Sequence, residues 1–268
     1  MFKHCINMET EIIKNVGSWG NGAGILLPKE WVGNQVKVIL IDRTLEIKRE
    51  ALNILEPYLE DILGIYLVGS YARGEQDSKS DVDILAISSK TKKEIKSGKY
   101  NVSISTVESL KKTVLVQPEL ILPRIKEAKV IFNPLLLKEF ENKVNKKSFK
   151  EFYEDSKRML KVSEEFTKID DKEGVFLESH SVIYSLILRL RGLFLIKCLL
   201  SEEKYTKKAF EKWILSILDK GEFNNCYEIY RLEKEDKPSK LIKVKIKTAQ
   251  NLIKFLEDEL EWLKEKKD

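Results

Sequence analysis

Ile65-Tyr66-Leu67-Val68-Gly69-Ser70, followed after ten residues by Asp81-Val82-Asp83-Ile84, is the stretch that decides the fold. The apolar run predicts a strand, and Gly69-Ser70 predicts a tight turn at its end. Residues two apart on a strand point to one face, so Asp81 and Asp83 project together from the next strand while Val82 and Ile84 alternate with them. Two hard oxygen ligands on one side suit Mg²⁺, which is held by one or two carboxylates together with substrate phosphates. The backbone N–H groups of Gly69 and Ser70 are suited to those phosphates, and glycine permits their close approach.

An apolar residue, Gly-Ser, a gap of about ten, and Asp-x-Asp between apolar residues resemble the pattern of the nucleotidyltransferase superfamily. That superfamily includes DNA polymerase beta, kanamycin nucleotidyltransferase and the minimal nucleotidyltransferases. The match falls at Gly69, Ser70, Asp81 and Asp83. Tyr71-Ala72-Arg73-Gly74-Glu75 resembles the short helical turn after Gly-Ser, and Ser80 stands where a small polar residue precedes the first Asp. The resemblance implies that Asp81 and Asp83 hold one or two Mg²⁺ ions. Gly69 and Ser70 would then cradle the outer phosphates of ATP or another nucleoside triphosphate, with Arg73 stabilising their charge. The implied activity is transfer of a nucleoside monophosphate, AMP in the leading reading, to a hydroxyl on a protein or a small molecule.

Catalytic members often carry a third carboxylate on a later strand. Here Tyr100-Asn101-Val102-Ser103-Ile104-Ser105-Thr106 offers only Asn101, Ser103 and Ser105 on the relevant parity. In kanamycin nucleotidyltransferase the base resembles a glutamate from the helical second domain, which makes Glu178 the candidate here and Glu108, just past the strand, the other. The alternative is a catalytically degenerate nucleotide-binding antitoxin or DNA-binding regulator.

The 268-residue chain is 43% hydrophobic and 34% charged, the balance of a globular protein with a real core. Its net charge of +5 permits nucleotide or nucleic-acid partners without requiring them. Cys5, Cys198 and Cys226 are widely separated and odd in number, which argues against a disulfide framework or a zinc site and fits a reducing cytoplasm. Residues 1–10 show no signal peptide. Residues 182–200 form the most apolar segment, but Arg189, Arg191 and Lys197 lie within it, so the expectation is a buried bundle helix and no membrane partner.

The expected class is α+β in three parts: a small β module at 1–46, an α/β domain with a mixed sheet at 47–146, and a helical bundle at 147–268. In the first, glycines interrupt short apolar runs and Gln35 to Ile41 alternates as a strand would. Gly22-Ala23-Gly24-Ile25-Leu26-Leu27-Pro28-Lys29-Glu30-Trp31 resembles the AbrB and MazE type of swapped-hairpin module. That resemblance implies a homodimer through this segment, with DNA as a possible partner. In the third part, Ile246, Ala249, Ile253, Leu256, Leu260 and Leu263 recur at spacings of three and four, one face of a long helix. The bundle resembles the kanamycin enzyme's second domain or the HEPN proteins, though the Arg-x4–6-His motif of HEPN ribonucleases is absent.

Overall fold

The computed structural model describes residues 12, 14, 16–39, 44–77, 80–140, 144, 146–239 and 241–265. The chain divides into two compact units, Met1–Thr44 and Leu45–Asp268.

The first unit contains the antiparallel hairpin β1 (Gly17–Trp19) and β2 (Gly22–Gly24), then a 3₁₀ turn at Lys29–Trp31. None of its described side chains is buried; Trp19, Leu26, Val32, Val38 and Ile39 are all exposed. The strand expected at Gln35 to Ile41 does not form over residues 35–39, and residues 40–41 lie outside the described residues. An alternating segment becomes a strand only when a neighbour takes up its backbone N–H and C=O groups.

All but the first residue of α1 (Thr44–Leu55) belongs to the second unit, and the helix gives way to a 3₁₀ turn at Glu56–Tyr58 that contains Pro57, a ring without an N–H. There follow β3 (Ile62–Val68), α2 (Gly69–Arg73), β4 (Val82–Ser88), β5 (Lys93–Ser97) and β6 (Tyr100–Thr106). Next come α3 (Val107–Val116), α4 (Pro118–Glu127), β7 (Lys129–Phe132) and α5 (Pro134–Lys138). The helical part is α6 (Lys150–Glu173), α7 (His180–Leu200), α8 (Lys207–Ile214), α9 (Lys220–Lys234) and α10 (Ile246–Glu265). Among the described residues the strands form a five-stranded mixed sheet in the order β5-β6-β4-β3-β7, with β4 and β6 parallel and the other pairs antiparallel. The architecture is α+β, a mixed sheet with a helical region.

Side-chain alternation divides the core. Ile65, Leu67, Val82, Ile84 and Ala86 face one way and pack with Ile47, Ala51 and Leu55 of α1. Tyr66, Val68, Leu85 and Ile87 face the other way, into a cluster with Leu110, Leu122 and Leu137 that continues through the buried residues of α7 and α10. Asp83 shares its parity with Leu85 and Ile87, so the strand aims it at the helical side of the sheet.

The segment at 182–200 is the buried centre of the bundle, with Ile183, Leu186, Ile187, Leu190 and Leu193 fully enclosed. Gly192 lets α6 approach closely, because a Cβ there would stand 2.6 Å from the ring of Phe152. No helix among the described residues is long and apolar enough to cross a membrane.

Candidate active site

The site begins at the sheet edge where β3 ends. Val68 pairs with Asp83, and the chain then turns at Gly69 with φ of +74°, a conformation L side chains avoid. A Cβ on Gly69 would lie 2.4 Å from Asp83 Oδ2, so the glycine also makes room for that carboxylate. Asp81 is exposed just before β4, and Asp83 is half-buried. The register sets Asn101 opposite Asp83, and the Asn101 amide donates to Asp81 Oδ2 at 3.1 Å. An amide therefore stands in the strand position where a third acid was looked for, and it orients the pair as a donor.

Burial raises the Asp83 pKa above the ordinary carboxylate value, and neighbouring Asp81 adds to the rise; the charges of Arg124 and Lys234 and the Asn101 hydrogen bond oppose it. Basic groups from α4 and from α9 thus both act on this carboxylate.

A carboxylate that sequence reasoning missed joins the group. Glu127 closes α4, two residues before β7, and β7 pairs antiparallel with β3 with Lys129 opposite Leu67. That pairing carries Glu127 to the Gly69 turn. The Gly69 N–H donates to Glu127 Oε1 at 2.6 Å, and Arg73 Nη1 donates to Glu127 Oε2 at 2.6 Å. Arg73 Nε donates to Glu75 Oε2 at 2.8 Å, and Glu75 Oε1 accepts the Lys207 backbone N–H at the start of α8 at 2.9 Å. Burial works against the Arg73 charge, but Glu127 and Glu75 more than offset it and raise its pKa.

Beyond Arg73 lies an aromatic and basic wall from the bundle. The guanidinium carbons of Arg73 and Arg191 stand 5.3 and 5.6 Å from the centre of the Tyr205 ring. Arg191 donates to the hydroxyls of Tyr205 at 3.2 Å and Tyr230 at 3.1 Å.

Gly69, Arg73 and Asp83 are therefore brought together with Asp81 beside them, and Ser70 follows Gly69 in the same turn. Glu178 takes no part in the hydrogen bonds that join Gly69 and Arg73, which Glu127 supplies. It is an exposed residue ahead of α7, and its backbone N–H donates to Asp170 Oδ2 at 2.9 Å. Glu108 is exposed in the first turn of α3, past the far end of β6 from Asn101. The signal for Glu127 was a lone acid before an apolar strand, and only the β3–β7 pairing gives that position meaning.

Residues 48–173 match a family described as nucleotidyltransferase domain. No curated protein matches the chain. Among solved structures, a nucleotidyltransferase-like protein from Exiguobacterium sibiricum is 14% identical with a TM-score of 0.36, over 81% of this chain and 75% of that one. Spectinomycin adenyltransferase from Enterococcus faecialis, solved with ATP and spectinomycin, is 14% identical with a TM-score of 0.42, over 82% of this chain and all of that one. The matched residues include the Gly69-Ser70 turn, both aspartates and Glu127.

Proposed function

We propose that the protein is a Mg²⁺-dependent nucleotidyltransferase that moves AMP from ATP to a hydroxyl on a protein or small molecule and releases pyrophosphate. The observation that carries this reading is the Asp83 carboxylate lying against the glycine of a turn whose backbone and Arg73 offer N–H donors. The donor set fits the ion: Asp81 and Asp83 offer hard oxygens from the start of one strand, and the missing Cβ of Gly69 lets the Asp83 carboxylate lie against the turn. They would hold Mg²⁺, which when bound neutralises phosphate charge and fixes the reacting oxygens.

The protein's own groups supply the rest. Gly69, Ser70 and Arg73 bind and orient the outer phosphates through N–H donors, the charge-assisted kind being the stronger. Among the described residues the hydrogen-bond partners of Arg191 are the hydroxyls of Tyr205 and Tyr230, and a guanidinium so placed favours an anion. The acceptor hydroxyl oxygen forms its bond to the α-phosphorus as the bond from that phosphorus to the bridging oxygen of pyrophosphate breaks. The hydroxyl proton goes to a carboxylate, and Glu127, hydrogen-bonded to the turn, is the candidate.

A second reading has support from Asn101, an amide at the register position opposite Asp83: a protein that binds nucleotide without turnover and acts as an antitoxin or regulator. The exposed apolar side chains of the first unit fit self-association of that AbrB-like segment, with DNA as its partner. The test of the site is calorimetry with ATP and Mg²⁺. Asp81→Asn combined with Asp83→Asn removes the metal-dependent part of ATP binding; unchanged affinity in a folded double variant refutes the assignment.

A further inference from the structure

The donors that a nucleotide's phosphate would need are already engaged. One oxygen of Glu127 takes the Gly69 N–H and the other takes Arg73, both at 2.6 Å, so a planar anion bridges the backbone and the guanidinium of the turn. An N–H group has one hydrogen, and at 2.6 Å the Gly69 donor is fully committed. A phosphate oxygen seeking that N–H competes with Glu127 directly, and the two negative groups repel each other.

We propose that Glu127 is a built-in stand-in for phosphate: the carboxylate holds the Gly69–Arg73 donors, an incoming polyphosphate displaces it, and the displaced carboxylate becomes free to accept a proton. This rests on the nucleotidyltransferase reading and adds an order of events to it. Substrate arrival and release of the base are one exchange, which restrains the base until a phosphate chain is seated.

The surroundings allow the exchange. Arg73 keeps its second carboxylate, Glu75, through Nε, so the guanidinium stays oriented when Glu127 leaves. Glu127 is the last residue of α4, and that helix is anchored by buried Ile121, Leu122 and Ile125. Only the side chain at the helix end has to move. Glu127 is also 13% exposed, so it has a route to solvent.

The experiment is calorimetric titration of the full chain with inorganic tripolyphosphate in the absence of divalent metal, for the wild type, Glu127→Gln and Glu127→Ala. Removing the competitor tightens tripolyphosphate binding at least tenfold in Glu127→Ala. The gain is smaller in Glu127→Gln, which loses the charge but keeps an oxygen for the Gly69 N–H. Thermal unfolding by circular dichroism checks each fold, and if the alanine variant does not fold, tightening or its absence in the glutamine variant decides. Equal or weaker binding in the folded variants, with Mg·ATP still bound by all of them, overturns the exchange and leaves the nucleotide site standing. If none of the proteins binds either tripolyphosphate or Mg·ATP, the nucleotidyltransferase reading fails and takes this proposal with it.

Discussion

Gly69 and Gly74 form a matched pair for testing the site, because each has φ of +74° yet only one meets an obstacle. A Cβ at Gly74 would find nothing within 4 Å; a Cβ at Gly69 would stand 2.4 Å from Asp83 Oδ2, 3.2 Å from Cγ and 3.3 Å from Cβ. Ordinary contact starts at 3.4 Å, so the nearest oxygen must retreat by 3.4 − 2.4 = 1.0 Å. Turning the Asp83 side chain relieves that contact but moves the carboxylate, while its Cγ and Cβ need give only a few tenths of an ångström. Alanine in the left-handed region costs about 1–2 kcal/mol at either position. For a unit of this size that lowers Tm by roughly 2–8 °C, at about 2–4 °C per kcal/mol. Only Gly69→Ala should also impair Mg·ATP binding, because it displaces Asp83 and crowds the donor N–H. One lost charge-assisted contact is worth about 1.5–3 kcal/mol, or roughly ten- to a hundredfold in Kd. Calorimetry with Mg·ATP on both variants, alongside thermal unfolding, gives the comparison. Equal loss of affinity in the two variants, or none in Gly69→Ala, refutes the placement of Asp83 against the turn as the basis of binding.

If labelled ATP reveals turnover, Glu127→Gln should lower kcat by about a hundred- to ten-thousandfold, the usual worth of a positioned proton acceptor; a comparable loss in Glu178→Gln with Glu127→Gln unaffected returns the base to Glu178. Glu119 is buried at 5% exposure, and burial, with some help from the charge of Glu151, pushes its pKa to about 7 from the 4.5 of an ordinary glutamate. Between those values the folded protein binds the proton that the unfolded chain has released, so this residue subtracts stability as pH rises, by up to about 3 kcal/mol. Glu119→Gln should therefore match the wild type near pH 4 and melt higher at pH 8, and a gap in denaturant midpoints that does not widen with pH refutes this.

Much of the second unit was legible because its signals are local. The apolar run before Gly69, the alternation around Asp81 and Asp83, and the three-and-four spacing from Ile246 to Leu263 each state an element and a face. Pro57 stands in the 3₁₀ turn that follows α1, and Pro134 opens α5. The strand β5 was hidden in a lysine-rich connection: it is an edge strand with Ile95 alone half-buried, and charged edges blunt unwanted pairing at the cost of a hydrophobic signature. Pro118 begins α4 and Pro123 lies inside it, so two prolines that would each suggest a break belong to one helix. Glu127 was illegible for a different reason. Its role comes from a strand pairing between residues about sixty positions apart, and no local pattern encodes which distant edge a short strand will join.

Tyr205 has consequences for modularity. One face of its surroundings belongs to Arg73 of the Gly69 turn and another to Arg191 of the bundle, while two residues later the Lys207 amide is tied to Glu75. The bundle therefore supplies part of the scaffold that aims Arg73. A recombinant that joins the sheet-bearing segment to a foreign helical partner inherits the two aspartates intact but loses the aromatic ring and the amide that steady the arginine. The orientation of Arg73 is thus a joint property of the sheet and the bundle, and exchanging one alone would disturb it.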